Sequence, residues 1–353
     1  MSIVFAILIF SFLIFIHEFG HFIAAKIFGV QVNEFSMFMG PAIFKKQKGE
    51  TLYSVRCIPI GGYCALEGEE EDTESPRSLQ KASWWKRFII FAAGSFMNFV
   101  FGVLLMILVF MPTKEAVVPV IDSFEAYSTV DEQNGLQVGD EIIEVDGEKI
   151  YVQPDFGMIL TLNGGDTHDI TVKRNGMTVE LNDFLMEKHS VKDEDGNEMQ
   201  LYGINFHRRQ MTFTMRVKYA WNNCMNTVRM VRLSLQMLLS GKAGIQDMTG
   251  PVGIVQIMSE TATAADTTMD AVLNMLYFGA FLGINLAVMN MLPIPALDGG
   301  RVVALLLTTS IEAITRKKIN PKFEGYIHAA GMILLLGLMA VIMFKDIFMI
   351  FKG

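Results

Sequence analysis

Four stretches of this chain are long and apolar enough to cross a bilayer, which takes about 20 residues of helix. They are residues 3–25, 89–111, 271–297 and 326–344. The second and third carry no charge, and the third holds Pro293 and Pro295 near its end. Lipid offers no partner to an exposed backbone amide, so such stretches fold as helices. The expected fold class is therefore a multi-pass α-helical membrane protein with four transmembrane helices. The first stretch is expected to be a span rather than a signal peptide: it lacks a basic leading segment, and its apolar run is too long.

Charge is distributed to match. The net charge of −8 divides into −12 over residues 112–210 and +4 over the remainder. An acidic block inside an apolar chain reads as a water-exposed domain inserted between membrane segments. Only 19% of the residues are charged, against about 25% in a soluble domain, which excludes an ordinary cytosolic protein. There is no long basic stripe, so a nucleic-acid partner is excluded. Three widely spaced cysteines, Cys57, Cys64 and Cys224, exclude a disulfide scaffold and a cysteine-built zinc finger.

Lysine and arginine in short connections set the orientation. Lys45, Lys46, Lys48, Arg56, Arg77, Lys81, Lys86 and Arg87 follow the first span, and Arg316, Lys317, Lys318 and Lys322 precede the last. Both connections should be cytoplasmic, with both termini and the acidic domain outside. The acidic patch from Glu67 to Glu74 counts little in this rule.

The intervening segments have their own patterns. The predicted divisions are 1–30 for the first span, 31–87 for a cytoplasmic or re-entrant β region, and 88–112 for the second span. An extracytoplasmic β-rich domain over 113–208 and an amphipathic membrane-surface helix over 209–245 come next. Residues 268–311 hold the third span and an unwound segment, and 325–350 the fourth span. Within 31–64, VNEFSMFMG and TLYSVRCIPIGGY read as β-hairpins, either lying against the membrane or standing in the cytosol. DITVKRNGMTVEL reads as a hairpin turning at Asn175-Gly176. Arg216, Lys218, Arg229 and Arg232 alternate with apolar residues at helical spacing.

The chemistry concentrates in the first span. His17-Glu18-Phe19-Gly20-His21 is an HExxH pattern. On a helix, positions i and i+4 share a face, so both imidazoles reach one metal, and the glutamate between them suits a general base. Ionisable groups in a membrane span are costly and usually functional. Catalytic zinc takes three protein ligands plus water, so a third intramembrane ligand is required. Asp298 is the candidate. It follows Pro293 and Pro295, which cannot continue a helix, and unwound backbone at membrane depth must line a polar or protein-buried cavity. Both motifs fall toward the cytoplasmic ends of spans running in the same direction, hence at similar depth. His168, His189 and His207 are expected at the surface of the acidic domain, and His328 is expected to pack in the last span. Glu34 and Glu260 have no evident partner in the sequence.

These motifs resemble the site-2 protease family of intramembrane zinc metalloproteases, and its bacterial RseP-type branch in particular. HEFGH (17–21) is similar to the family's first-span motif, and NMLPIPALDGG (290–300) to its NxxPxPxLDG motif. IPIGGY (58–63) looks like the loop after a re-entrant β-hairpin, and 239–254 like the lead into the third helix. GLQVGDEIIEVDG (135–147) resembles a stretch of a PDZ domain, here a single one. One departure stands out: the family's AGPxxN motif reads Ala93-Gly94-Ser95-Phe96-Met97-Asn98, with serine in place of proline.

The resemblance implies Zn²⁺ held by His17, His21 and Asp298, with Glu18 as general base. Asn290 is implied near the site, either donating to the substrate backbone or oxyanion or stabilising the unwound helix. It implies regulated intramembrane proteolysis in a bacterial plasma membrane. The substrates would be single-span proteins, such as anti-sigma factors or signal-peptide remnants, already cut on the outer side. A catalytically inactive PDZ scaffold and a metal transporter are the competing classes. The intact HExxH set argues against the first, and Glu18 with the PDZ-like domain against the second.

Overall fold

A computed structural model describes residues 2–69, 73–128, 135–192, 198–244, 250–316 and 321–352. Residues 70–72 of the acidic patch, Lys317 and Lys318, residues 245–249 and the side chain of His328 lie outside the described residues. In chain order the elements are α1 (Ser2–Phe28), β1 (Val32–Lys48), β2 (Thr51–Leu66), α2 (Trp84–Phe110), β3 (Glu115–Phe124), β4 (Glu141–Val145), β5 (Glu148–Lys149) and α3 (Pro154–Asn163). There follow β6 (Thr167–Arg174), β7 (Met177–Leu185), β8 (His189–Lys192), β9 (Glu198–Leu201), β10 (Ile204–Gln210), α4 (Phe213–Leu239), α5 (Pro251–Thr263), α6 (Thr268–Asn290), α7 (Asp298–Thr315) and α8 (Pro321–Lys352). The chain divides into two compact units, 1–106 with 227–353, and 107–226.

Among the described residues of the first unit, four segments are long and apolar enough to cross a membrane: Phe5–Phe28, Trp84–Phe110, Thr268–Asn290 and Gly325–Asp346. The second of these runs on into residues 107–110. α6 starts at a capped end, where the Thr267 hydroxyl accepts from the Asp270 amide at 3.1 Å. It stops at Asn290, ahead of Pro293, and the chain runs without helix to Leu297 before α7 begins. Gly299 and Gly300 make that restart possible. A Cβ on Gly299 would collide with the backbone of Met291 and Leu292, and one on Gly300 with that of Ile294. α5 had no counterpart in the sequence reading; it opens with Pro251, whose fixed φ and missing N–H suit a first helical position.

The β region is more than a hairpin. β1 bends where Phe38 and Gly40 take positive φ (69° and 85°), and β2 where Gly61 does (82°). Each long strand thereby supplies two ribbons. Residues 34–37 partner both 52–55 and 62–65, and 42–48 partner 51–56. The ribbon order is 42–48, 51–56, 32–37, 62–66, so 62–66 is an edge. Arg56 braces three of these ribbons. Its guanidinium donates to Glu34 Oε1 (2.7 Å), Ser36 Oγ (3.0 Å), the Gly40 carbonyl (2.7 Å) and the Tyr63 hydroxyl. Glu34, which has no evident partner in the sequence, thus has one; its carboxyl is held below the usual range against the opposing effect of burial. Ala24, Ala25, Val30, Val32, Leu66, Ile90, Phe91 and Val302 form the buried cluster joining α1, the sheet, α2 and α7.

The second unit is a six-stranded antiparallel sheet, in the order β10-β3-β4-β6-β7 with β5 on β4, covered by α3. Its core holds Ile121, Leu136, Ile142, Val145, Phe156, Ile159, Leu160, Ile170 and Val172. β6 and β7 turn at Asn175 (φ 51°) and Gly176 (φ 84°), the left-handed pair that a two-residue hairpin needs. His168 is a correction to the sequence reading: it is 2% exposed, not a surface residue. Strand β6 alternates, and His168 falls on its inward side, where Nδ1 lies 2.7 Å from Asp146 Oδ2. Burial pushes the Asp146 carboxyl up, but Asn163, His168 and the Asp169 amide hold it below its ordinary value. In α4, Arg229 is buried while Trp221 is 46% exposed, so its faces are less cleanly divided than an amphipathic pattern suggests.

A buried ion pair anchors this sheet. Arg174 grips Asp140, which is 1% exposed, through two bonds of 2.8 and 2.7 Å. Arg174→Ala would leave that buried carboxylate with the Gln137 amide but without its opposite charge, at a cost of about 3 kcal/mol. Hydrogen exchange on the full-length protein should show the Ile142 and Val172 amides losing roughly a hundredfold in protection. Unchanged protection would mean that the pair does not hold the sheet.

Candidate metal centre

α1 presents His17 and His21 on one face, a turn apart, and α7 presents Asp298 in its first turn. His17 Nε2 lies 3.1 Å and His21 Nε2 3.4 Å from Asp298 Oδ2, and the two Nε2 atoms are 3.3 Å apart. The three side chains are 12%, 13% and 14% exposed. Among the described residues they form the one group of three or more His, Cys, Asp or Glu whose ligand atoms lie within 4.8 Å of one another.

The spacing fits zinc. Bonds of about 2.0–2.1 Å in a tetrahedron set ligand atoms about 3.3 Å apart, and two imidazoles with a carboxylate are a recognised catalytic donor set. The space fits as well. A Cβ on Gly94 of α2 would stand 2.9 Å from His17 Nε2 and closer still to His21 Nε2. Gly20 of α1 is similarly required, since a Cβ there would strike the Ala93 carbonyl. These two glycines let α1 and α2 meet where the histidines project.

Neighbours from α2 surround the cluster. His21 Nδ1 is 2.7 Å from the Ile90 carbonyl, an acceptor, so Nδ1–H donates there and Nε2 keeps its lone pair for the centre. The Ser95 hydroxyl donates to Asp298 Oδ2 at 3.4 Å, and Asn98 Nδ2 lies 3.4 Å from His17 Nδ1. Ser95 is 2% exposed and Asn98 1%. Replacing proline by Ser95 leaves α2 unbroken from Trp84 to Phe110.

Glu18 stands next to the pair on α1. The sheet reaches it at Gly62 of the edge ribbon, where a Cβ would be 3.7 Å from Glu18 Cγ and 3.0 Å from the Ser36 carbonyl. Asn290 closes α6 at the start of the unwound segment that leads to Asp298. The sequence thus led to His17, His21 and Asp298, which converge, and to Glu18 and Asn290 on the flanking elements. Gly94, Ser95 and Asn98 were quoted only as a motif with a departure. The signal was there in part, since Gly94 and Asn98, four residues apart, lie on one side of a helix, with Ser95 three residues before Asn98 beside them.

Apolar membrane-length helices holding this donor set place the chain among membrane-embedded zinc metalloproteases. The sequence pattern of peptidase family M50 matches residues 5–338, and the chain belongs to that family. It is 35% identical to a Clostridium perfringens protein with a provisional zinc-metalloprotease name, over 98% of both chains. It is 26% identical to the regulator of sigma-W protease RasP of Bacillus subtilis, over 97% of both. It is 28% identical to the zinc metalloprotease RasP of Oceanobacillus iheyensis, over 98% of both.

The Gly94 contact gives a direct test. Gly94→Ala favours helix by about 1 kcal/mol, so α2 should persist, yet its methyl occupies the space beside both Nε2 atoms. Elemental analysis of the purified variant should find most of the zinc lost with helical circular dichroism intact. Full zinc occupancy would show that the glycine is not what leaves room for the ion.

Proposed function

We propose that this chain is an intramembrane endopeptidase cutting the transmembrane segment of a single-span protein that has already been shortened on the outer side of the membrane. The observation that carries the proposal is the convergence of His17, His21 and Asp298 at zinc spacing within apolar helices, with Glu18 beside them. Zinc held by these three side chains would supply Lewis acidity and lower the pKa of a bound water toward 7. The Glu18 carboxylate accepts the proton released as water adds to the scissile carbonyl, then delivers it to the departing amine. Asn290 donates a hydrogen bond to the substrate backbone or its developing oxyanion.

A helical substrate shields its peptide bonds, so it must be held extended. Edge ribbon 62–66 has its second side free of strand partners among the described residues and passes Glu18 at Gly62. Strand addition to that edge would align an extended segment with the site. The Arg56 brace then keeps the edge in register with ribbons 32–37 and 51–56.

The substrate class follows the same reading. A relative's name ties it to sigma-W regulation, which supports a membrane-anchored anti-sigma factor as substrate, with signal-peptide remnants as the further class. The lysine and arginine distribution supports a bacterial plasma-membrane topology with residues 113–208 outside. That acidic segment acts as a PDZ-type filter against bulky ectodomains.

Two measurements test this reading. The purified protein should cleave a shortened single-span substrate, and Glu18→Gln should lose at least about a thousandfold in rate with zinc retained. Asp298→Ala should lose zinc and activity together. A Glu18→Gln protein as active as wild type would remove Glu18 from the mechanism, and wild type without cleavage would favour a scaffold or transporter. For topology, a cysteine at Asn175 in a background lacking Cys57, Cys64 and Cys224 should react with an impermeant maleimide in intact cells. Reaction only after lysis would invert the orientation.

A further inference from the structure

Asn98 is a primary amide buried at 1% exposure in the middle of an apolar span. Its Nδ2 faces His17 Nδ1 at 3.4 Å, and its Oδ1 is buried with no hydrogen-bond partner among the described residues. Such an oxygen is costly, and a native fold that keeps one calls for a reason.

The histidine supplies that reason. For His17 Nε2 to offer a lone pair at the three-donor centre, a neutral imidazole must carry its proton on Nδ1. Nδ1 is then a donor, and an amide NH₂ opposite it is a second donor. Oxygen and nitrogen of a carboxamide are nearly equal in shape and are told apart by their partners. No donor holds Oδ1 where it stands, so exchanging the two atoms breaks no hydrogen bond there and turns donor against donor into donor against acceptor at His17.

We propose that Asn98 is a positioning residue whose amide oxygen accepts the His17 Nδ1 proton, fixing the ring and directing Nε2 to the metal. The Ile90 carbonyl does the same for His21 at 2.7 Å. Ser95 completes the set with a hydroxyl on Asp298 Oδ2. Each of the three ligands then has one outer partner, and all three partners come from one side of α2. Metal-ligating histidines regularly donate their second nitrogen to an oxygen acceptor, and loss of that acceptor weakens metal binding. Ser95 is the more particular to this chain: where the resembling family has proline, this span keeps its helix and gains a hydroxyl.

The inference rests on the zinc reading of the preceding subsection, so the test begins with wild type. Zinc affinity of the full-length protein in detergent is measured by competition with a chromophoric chelator. If wild type binds no zinc, the metal reading itself fails. If wild type binds, Asn98→Ala should bind about 10- to 100-fold more weakly. Asn98→Asp keeps an acceptor and should bind at least as tightly as wild type. Equal affinity in wild type and Asn98→Ala overturns the proposal, as does an Asn98→Asp protein as weak as Asn98→Ala. A ¹⁵N NMR spectrum of zinc-loaded wild type requires no variant to fold. It should show a protonated, hydrogen-bonded His17 Nδ1, and an unprotonated Nδ1 overturns the proposal outright.

Discussion

Everything in the first unit answers to one constraint: two imidazoles and a carboxylate meet within 3.4 Å of one another among apolar helices. Facing lipid, each would be costly, so the chain must bury them together and give each a partner. A metal ion satisfies all three at once. The glycines follow from the same demand. Gly20 and Gly94 let α1 and α2 approach until the histidines share one space, and Gly299 and Gly300 let α7 begin directly against the unwound 291–297 segment. The helix break also follows, since Asp298 reaches the centre from the first turn of α7, where a carboxylate suits the positive end of the helix dipole.

On the proposed function, the sheet would solve a second problem at the same place. A protease acting on a membrane helix must take a segment whose backbone is internally bonded and hold it open. An edge ribbon beside Glu18 offers backbone donors and acceptors in exchange. Such an edge is useful only if its register is fixed, and short bent ribbons specify register weakly by side-chain pattern alone. Arg56, with acceptors on ribbon 32–37, at the Gly40 bend and on ribbon 62–66, supplies that register through directional bonds.

What could be read from the sequence depended on how local the signal was. His17 and His21 announce themselves because four residues make one helical turn, and Asp298 because two prolines must break a span beside it. Asn175-Gly176 announces a hairpin because its conformation is set by those two residues. The doubled ribbons of β1 and β2 were not legible, because positive φ at Phe38 and Gly40 in β1 and at Gly61 in β2 folds each strand onto partners that a period-two pattern cannot distinguish. His168 was misplaced because a polar residue on an alternating strand looks solvent-facing until Asp146 is known to lie beneath it. Asn98 and Ser95 were visible as residues, but their roles depend on which face of α2 meets α1, and helix packing is not written in either helix alone. The same holds for Arg229, whose burial runs against the amphipathic pattern of α4.

Zinc K-edge X-ray absorption on the purified wild-type protein and on Asp298→Ala tests the central claim most directly. The account predicts one zinc per chain in wild type, bound by two imidazoles and a carboxylate oxygen with no sulfur, and loss of the zinc signal in the variant. A spectrum with sulfur ligands, or one unchanged by removing Asp298, would contradict it.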